Sequence, residues 1–376
     1  MATLTPLSAQ AIARLRSYVP PPTQYTNLPL TRRAAVLLLL FADKAGHLKV
    51  VLTIRASTLS SYAGQAALPG GKADVLTETP LQTARREAFE EIGLPLSNNK
   101  LPPPFRVEHL CQLPTYLART ELGVRPCVAF LTTSPPGASD SAAPSSPSAP
   151  TDRQPTGSAV PAVEDSLIPR LDAKEVAAVF TAPFHNFLRS KLDEQLWGDV
   201  GSAVDDVSSG WYQGSWSDWQ ESRWRMHNFY VPVAGQSVIR PRPKKKKRAP
   251  EAIEDAGQKR RAARPEKELG RGPDQPLPTA SNKPARPAPS HTLPYRDRPS
   301  DDGVSAVTRF RVFGMTARIL VDAARIAFGE QPDFEHNAHF GDEEMIERLM
   351  RIGRLSLKAK PDDELTREDL KAAAKI

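Results

Sequence analysis

Two uninterrupted apolar runs, Ala34–Phe41 (AAVLLLLF) and Leu48–Ile54 (LKVVLTI), flank the turn-like segment Lys44-Ala45-Gly46-His47. Short runs bounded by such a signal predict two adjacent buried strands in a hairpin. Arg106–Leu113, Val124–Thr132, Val176–Phe180 and Trp224–Val233 read as further strands. Helical spacing predicts helices over Leu81–Ile92 and Met315–Phe328. In the second, Ile319, Leu320, Ala323, Ile326 and Ala327 recur on one side, and Gly329 is a natural C-cap. Strands and helices mix without regular alternation, which predicts an α+β fold with a sheet flanked by helices. The longest apolar run, Ala34–Ala42, has nine residues and stops at Asp43. A bilayer span needs about 20, so none is expected.

Composition changes this picture in two places. Proline, 37 of 376 residues, is about twice its usual share, and the excess is concentrated. The stretch 134–166 is rich in Ser, Pro and Ala and has no apolar periodicity. The stretch 240–303 holds 12 prolines and the run Lys244-Lys245-Lys246-Lys247-Arg248. Neither can bury a core, and both read as disordered insertions into surface loops. The second carries 17 basic and 9 acidic residues, so its local excess of +8 exceeds the whole chain's +7. The remainder is close to neutral, and nucleic acid is not an expected partner of the folded core. The basic run itself reads as a solvated linker, as a nuclear-import or nucleic-acid patch with Lys259-Arg260-Arg261, or as a contact for an anionic membrane. An acidic protein or a nuclear-import factor is the partner it would take. Two cysteines exclude a disulfide framework.

The organisation predicted is an N-terminal segment 1–27, a first domain part 28–133, an insertion 134–170 and a second domain part 171–239. An insertion 240–303, a C-terminal helical part 304–356 and a tail 357–376 complete it.

The densest chemistry is Arg85-Arg86-Glu87-Ala88-Phe89-Glu90-Glu91-Ile92-Gly93-Leu94. On a helix, Leu81, Ala84, Ala88 and Ile92 share an inward stripe, and Glu87 and Glu91 lie side by side at its margin. Glu90 is about 100° away. Three carboxylates so close repel unless a cation neutralises them, and hard oxygen donors suit Mg²⁺ or Mn²⁺. Upstream, Leu68-Pro69-Gly70-Gly71-Lys72 supplies glycines that let a phosphate approach the backbone, followed by a cation. A phosphate loop beside a carboxylate metal site suits hydrolysis of a phosphoanhydride.

These residues resemble the Nudix box: Gly, five residues, Glu, seven residues, then Arg-Glu-aliphatic-x-Glu-Glu-x-Gly-aliphatic. Glu78, Arg86, Glu87, Ala88, Glu90, Glu91, Gly93 and Leu94 fall in place over residues 71–94, with six residues rather than five between Gly71 and Glu78. The resemblance implies the Nudix fold, a mixed sheet sandwiched between helices. It also implies metal ligands Glu87, Glu90 and Glu91 and catalytic roles for Glu87, Arg86 and Glu90. Glu87 would double as general base, Arg86 would orient a box glutamate and Glu78 would help hold it. Glu121 is an additional carboxylate without an assigned role.

The segment before the box resembles the coenzyme A branch of that family. Its signature is Leu-Leu-Thr-x-Arg-(Ser/Ala), three residues, Arg, three residues, Gly, three residues, Phe-Pro-Gly-Gly. Thr53, Arg55, Ala56, Gly64, Pro69, Gly70 and Gly71 match, while Ser60 replaces the second Arg and Leu68 the Phe. Pro114-Thr115-Tyr116-Leu117, Lys174-Glu175-Val176 and Phe313-Gly314-Met315-Thr316 are similar to further landmarks of that branch. The resemblance implies hydrolysis of CoA or acyl-CoA to 3′,5′-ADP and 4′-phosphopantetheine or its acyl form. Arg55, Gly70, Gly71 and Lys72 would bind substrate. Other nucleoside diphosphate derivatives (ADP-ribose, NADH, oxidised dNTPs) and a catalytically modified binding module are the alternatives.

Three address signals compete. Ala374-Lys375-Ile376 resembles the peroxisomal tripeptide and gives the first expectation. The stretch before Asp43 lacks acidic residues and carries Arg14 and Arg16 on a helix-like segment, which suits a mitochondrial presequence or a plain helix. The lysine run adds a nuclear or cytoplasmic alternative.

Overall fold

The predicted hairpin is strand β1 (Arg33–Ala42) and strand β2 (Leu48–Arg55), antiparallel with Leu40 opposite Val50 and Ala42 opposite Leu48. Asp43 builds the turn, its Oδ1 accepting the amides of Ala45 and His47 at 2.9 Å each. Gly46 there has φ +84°, a conformation that costs glycine little. The computed structural model describes residues 3–58, 63–133, 175–193, 210–219, 222–234, 236, 238–240, 308–355 and 366–374.

Around the hairpin forms a mixed eight-stranded sheet. Strand β1 pairs antiparallel with β4 (Gly70–Lys72) and parallel with β7 (Gly123–Thr133), from Arg33 beside Gly123 to Phe41 beside Leu131. Strand β2 takes β3 (Ala66–Ala67) and β8 (Val176–Pro183). Strand β7 takes β5 (Phe105–Gln112) and β6 (Tyr116–Leu117).

Helices cover both faces, as expected of a Nudix fold. Ala35, Leu37, Leu39 and Phe41 alternate toward helix α2 (Pro80–Ile92) and share a core with its Ala84, Ala88 and Ile92. On β5, Phe105 and Val107 join that same core. Glu108 points the other way and pairs with Arg16 of helix α1 (Pro6–Ser17) at 2.7 Å, so α1 lies on the opposite face. Helix α1 buries Ala11, Ile12 and Leu15, and its Arg14 donates to the Phe328 carbonyl at 2.6 Å. The segment 1–27, drawn as separate, therefore packs as part of the domain. Both basic residues of its helix are engaged with the domain.

A second sheet contains β9 (Tyr212–Trp219), β10 (Ser222–Pro232) and β11 (Arg309–Phe313), all antiparallel. Phe229, Val231, Phe310 and Val312 form its inner face, and Phe310 lies 4.6 Å from the Phe180 ring of β8. The part 304–356, expected to be helical, thus opens with a strand before α3 (Gly314–Phe328) and α4 (Glu343–Arg351). Gly329 caps α3 with φ +66°, as its position predicts. The tail 357–376 contains helix α5 (Arg367–Ala374), whose Leu370 and Ala373 bury against Leu28, Ile346, Leu349 and Leu355. Those two apolar positions, three apart, are too few to reveal a helix from periodicity.

Helix α3 is anchored by a buried polar network. Asp322 accepts from Tyr116 Oη (2.8 Å), from Arg325 Nη1 (3.2 Å) and from His336 Nε2 (2.8 Å). His336 Nδ1 in turn meets His227 Nε2 at 2.8 Å. Burial drives His227 down to about 3, so it is neutral and the pair shares one proton per bond. Arg318 pairs with Asp342 at 3.0 Å. Satisfied buried polar groups of this kind fix one arrangement of neighbouring elements.

The 134–170 insertion lies outside the described residues, as do the 240–303 insertion beyond Arg240, Ser60, and Lys375 with Ile376. Among the described residues, no helix is long and apolar enough to cross a membrane.

Candidate active site

Helix α2 has a defined beginning and end. Thr79 Oγ1 accepts the Gln82 amide at 3.3 Å, and Gln82 Oε1 accepts the Thr79 amide at 2.9 Å. This capping box, Pro80 in the first turn and left-handed Gly93 at the end fix the helix in length and register. The predicted stripe is its inner face, with Ala84, Ala88 and Ile92 buried and Leu81 partly so. Two alanines there allow α2 to lie close on β1 and β7. That closeness brings Glu87 and Glu91 against β4.

Strand β4 accommodates them because it begins with two glycines. A Cβ on Gly71 would stand 2.4 Å from the Glu87 carboxylate carbon. The Gly70 amide donates to Glu91 Oε2 at 3.2 Å. The glycine pair read from sequence as a phosphate cradle thus receives two box carboxylates in this structure.

Arg86 binds three carboxylates together. Its Nε lies 2.9 Å from Glu78 Oε1, and its Nη1 lies 3.0 Å from Glu87 Oε1 and 3.3 Å from Glu90 Oε2. Its Nη2 donates to the Lys72 carbonyl at 2.8 Å, tying α2 to β4. The cation that clustered carboxylates require is therefore supplied, for these three, from within the helix. The Glu78 hydrogen bond raises the Arg86 pKa above its ordinary value despite burial. Burial works against the Glu78 charge, but Arg86 and the Asp74 amide hold it below the ordinary carboxylate range.

The inner carboxylates behave differently. Burial raises Glu87, Arg86 opposes that, and the charges of Glu90 and Glu175 add to it. Glu91, only 5% exposed, is pushed from the ordinary 4.5 up to about 8. Burial is the main cause; the Gly70 amide and Arg55 resist it, while Glu87 and Glu175 reinforce it.

Arg55 ends β2 with Nη1 4.0 Å from Glu91 Oε1. Glu90 and the Lys72 side chain are exposed at the rim. Glu121 lies outside this constellation. It is fully buried at φ +61°, paired with Arg32 and with Arg354 at 2.6 Å. Its role is to hold the β6–β7 turn against the C-terminal region. A non-glycine residue at such φ persists only where surrounding contacts fix it.

Glu175 stands in the Lys174-Glu175-Val176 landmark, but its role in the site is not legible in the sequence. It precedes β8, its carbonyl accepts the Ala56 amide at 2.8 Å, and its charge reaches both Glu87 and Glu91. An acidic residue at the mouth of a predicted strand has many bland explanations, and the landmark does not say where its side chain lies.

Among the described residues, no three Asp, Glu, His or Cys side chains converge as a ready metal cage. The donor chemistry nonetheless fits a hard divalent ion. Glu87, Glu91 and Glu175 offer carboxylate oxygens only, and the Glu87 carboxylate occupies the place a Gly71 side chain would take.

Residues 31–116 match the NUDIX domain, and the chain carries a Nudix domain. The peroxisomal coenzyme A diphosphatase 1 of Saccharomyces cerevisiae is 45% identical over 130 residues, covering 33% of this chain and 38% of that protein. The mitochondrial Nudix hydrolase 15 of Arabidopsis thaliana is 41% identical over 100 residues, 27% of this chain and 32% of its own length. The chloroplastic Nudix hydrolase 22 of the same plant is 42% identical over 100 residues, 27% of this chain and 30% of its own length. The chain thus spans about a third of the length of these curated relatives.

Proposed function

We propose that the chain hydrolyses the diphosphate bond of coenzyme A or its thioesters, giving 3′,5′-ADP and 4′-phosphopantetheine or its acyl form. The observation that carries hydrolysis is the placement of Glu87 and Glu91, one helical turn apart, against the Gly70–Gly71 backbone. Support for the CoA branch comes from the match at Thr53, Arg55, Ala56, Gly64, Pro69, Gly70 and Gly71, and from the activity for which the yeast relative is named.

Nudix hydrolases generally use divalent ions, and here Glu87, Glu90 and Glu91, with Glu175, are the residues that would hold Mg²⁺ or Mn²⁺. When bound, such an ion shields phosphate oxygens and lowers the pKa of an attacking water. Arg86 holds Glu87 in register through its bonds to Glu78 and the Lys72 carbonyl. Glu87, raised by burial above the ordinary carboxylate, is the stronger base for taking a proton. Arg55 and Lys72 supply positive charge toward a diphosphate. A peroxisomal address accords with the name of the yeast relative, while the plant relatives are named for other organelles.

Ser60 stands where the branch signature has Arg, which favours other dinucleotides as the second reading. The deciding experiment offers purified protein with Mg²⁺ or Mn²⁺ three substrates in parallel: CoA, ADP-ribose and NADH. Formation of 3′,5′-ADP from CoA, with little turnover of the other two, is expected. Cleavage of ADP-ribose or NADH without CoA cleavage transfers the chain to the second reading.

A further inference from the structure

The loop that joins β4 to α2, residues 73–79, has almost no apolar anchor. Val75 and Leu76 turn outward, 53% and 60% exposed, and Asp74 and Thr77 are exposed beside them. Only Ala73 of the loop is buried. The one residue by which this segment exceeds the box pattern falls here and adds freedom. Yet the loop carries Glu78, which holds Arg86, which in turn faces Glu87. A segment with so little burial keeps its shape only through hydrogen bonds.

Those bonds lead to Arg33 at the start of β1. Its carbonyl accepts the Ala73 amide at 3.0 Å, and its Nη1 donates to the Leu76 carbonyl at 3.2 Å. The rest of the same guanidinium reaches the other way. Nε donates to the Leu28 carbonyl at 2.8 Å and Nη2 to the Thr26 carbonyl at 2.5 Å, over the Tyr25 ring at 5.9 Å. Leu28 is fixed in turn by the core it shares with Ile346, Leu349 and Leu370. One side of the fork is thus set in the packed body of the domain, and the other grips a surface loop. A buried guanidinium is costly unless its donors are engaged, and here each nitrogen donates to a carbonyl. A single-headed cation cannot span three carbonyls from two segments. Within the loop, the Asp74 amide donates to Glu78 Oε2 at 2.9 Å and the Glu78 amide to the Val75 carbonyl at 3.1 Å.

We infer that Arg33 is a positioning residue for the box: it hangs the β4–α2 loop on the 25–28 turn, so that Glu78 keeps Arg86, and through it Glu87, in place. This rests on the hydrolase reading above and not on the choice of CoA. Freed from Arg33, the loop carries Glu78 and Asp74 away, and Arg86 Nε loses both partners, at 2.9 and 3.2 Å, together. Its Nη1, 3.0 Å from Glu87, then has no fixed place. The loss falls on kcat, because Arg86 orients a reacting group.

The test uses the full chain with Mn²⁺ and whichever of CoA, ADP-ribose or NADH it cleaves fastest, together with native-state hydrogen exchange. Arg33→Met is expected to speed exchange of the Asp74 and Glu78 amides about tenfold or more, while amides between β1 and β7 keep their rates. Its kcat falls about 10- to 100-fold with KM within about threefold, and Arg33→Lys falls between. Once Glu78→Ala has severed the chain of contacts, adding Arg33→Met should cost less than about twofold more. Parent-like exchange in the loop, an unchanged kcat, or losses that multiply in the double variant overturn the inference while the hydrolase reading stands. A parent that cleaves none of the three substrates removes that reading, and the inference falls with it. If the Met variant does not fold, the Lys variant decides by the same exchange and kcat measurements.

Discussion

Glu91→Gln is expected to make the metal-free protein more stable at pH 8 while reducing turnover roughly 100- to 1000-fold. The carboxyl is buried, and its folded pKa of about 8 stands well above the ordinary 4.5. The folded state therefore holds a proton that the unfolded chain releases between those values. Stability from this group is fully present below about 4.5 and declines as pH rises through 8. At about 1.4 kcal/mol per unit, the penalty at pH 8 is on the order of 4–5 kcal/mol. Glutamine removes it and can still accept the Gly70 amide. Thermal unfolding of the two proteins at pH 5 and pH 8, without metal, should show them close at the lower pH and separated at the higher. Millimolar Mn²⁺ should then stabilise the parent selectively, since ligand binding to the folded state adds stability. A Gln variant less stable than the parent at pH 8 would refute this account of the buried charge.

Gly71→Ala and Gly70→Ala are neighbours in sequence with opposite expected failures. At Gly71 the new methyl meets the far end of the Glu87 side chain, which can rotate aside. The fold should survive, but Glu87 leaves its place, and a displacement of about 1 Å in a reacting group costs about 100-fold in kcat. At Gly70 the methyl would lie 2.4 Å from the Ala35 carbonyl oxygen and 2.6 Å from the Val36 Cα. Its φ of +157° also disfavours a side chain. Nothing flexible can yield there, so the β1–β4 pairing opens at a cost of about 3 kcal/mol or more. Paired measurements of kcat and unfolding midpoint separate the two. Loss of folding in the Gly71 variant, or a fully folded Gly70 variant, contradicts the assignment.

Legibility in the sequence followed the range of the interactions. The strands β1 and β2 announce themselves as short apolar runs around a turn, and the helices α2 and α3 because their apolar residues follow one local period. The spacing of Glu87 and Glu91 is equally local, and so is the capping glycine after each of these helices. Strand β4 could not be read, because Gly70-Gly71-Lys72 offers no pattern and exists as a strand only through β1. Strand β9, with Gln213, Ser215 and Ser217 between its aromatics, lacks the apolar alternation that marks a half-buried strand. Glu175 belongs to the site because β8 pairs with β2, a contact made across more than 100 residues of sequence. The Asp322–His336–His227 network is hidden for the same reason. Arg86 stands among the box residues by spacing, but its simultaneous grip on Glu78, Glu87 and Glu90 is a geometric fact that no spacing rule states.

Helix α1 has consequences for how the chain is made. Of the two elements it packs on, β5 follows within about 100 residues but α3 lies roughly 300 residues later, so the cover over Ala11, Ile12 and Leu15 is completed only late in translation. Completion of the core is postponed to the last stage of synthesis, and contacts this remote in sequence form slowly. A nascent chain with this apolar surface only partly covered for so long is a natural client for chaperones, and interruption of synthesis before α3 would leave a sticky fragment.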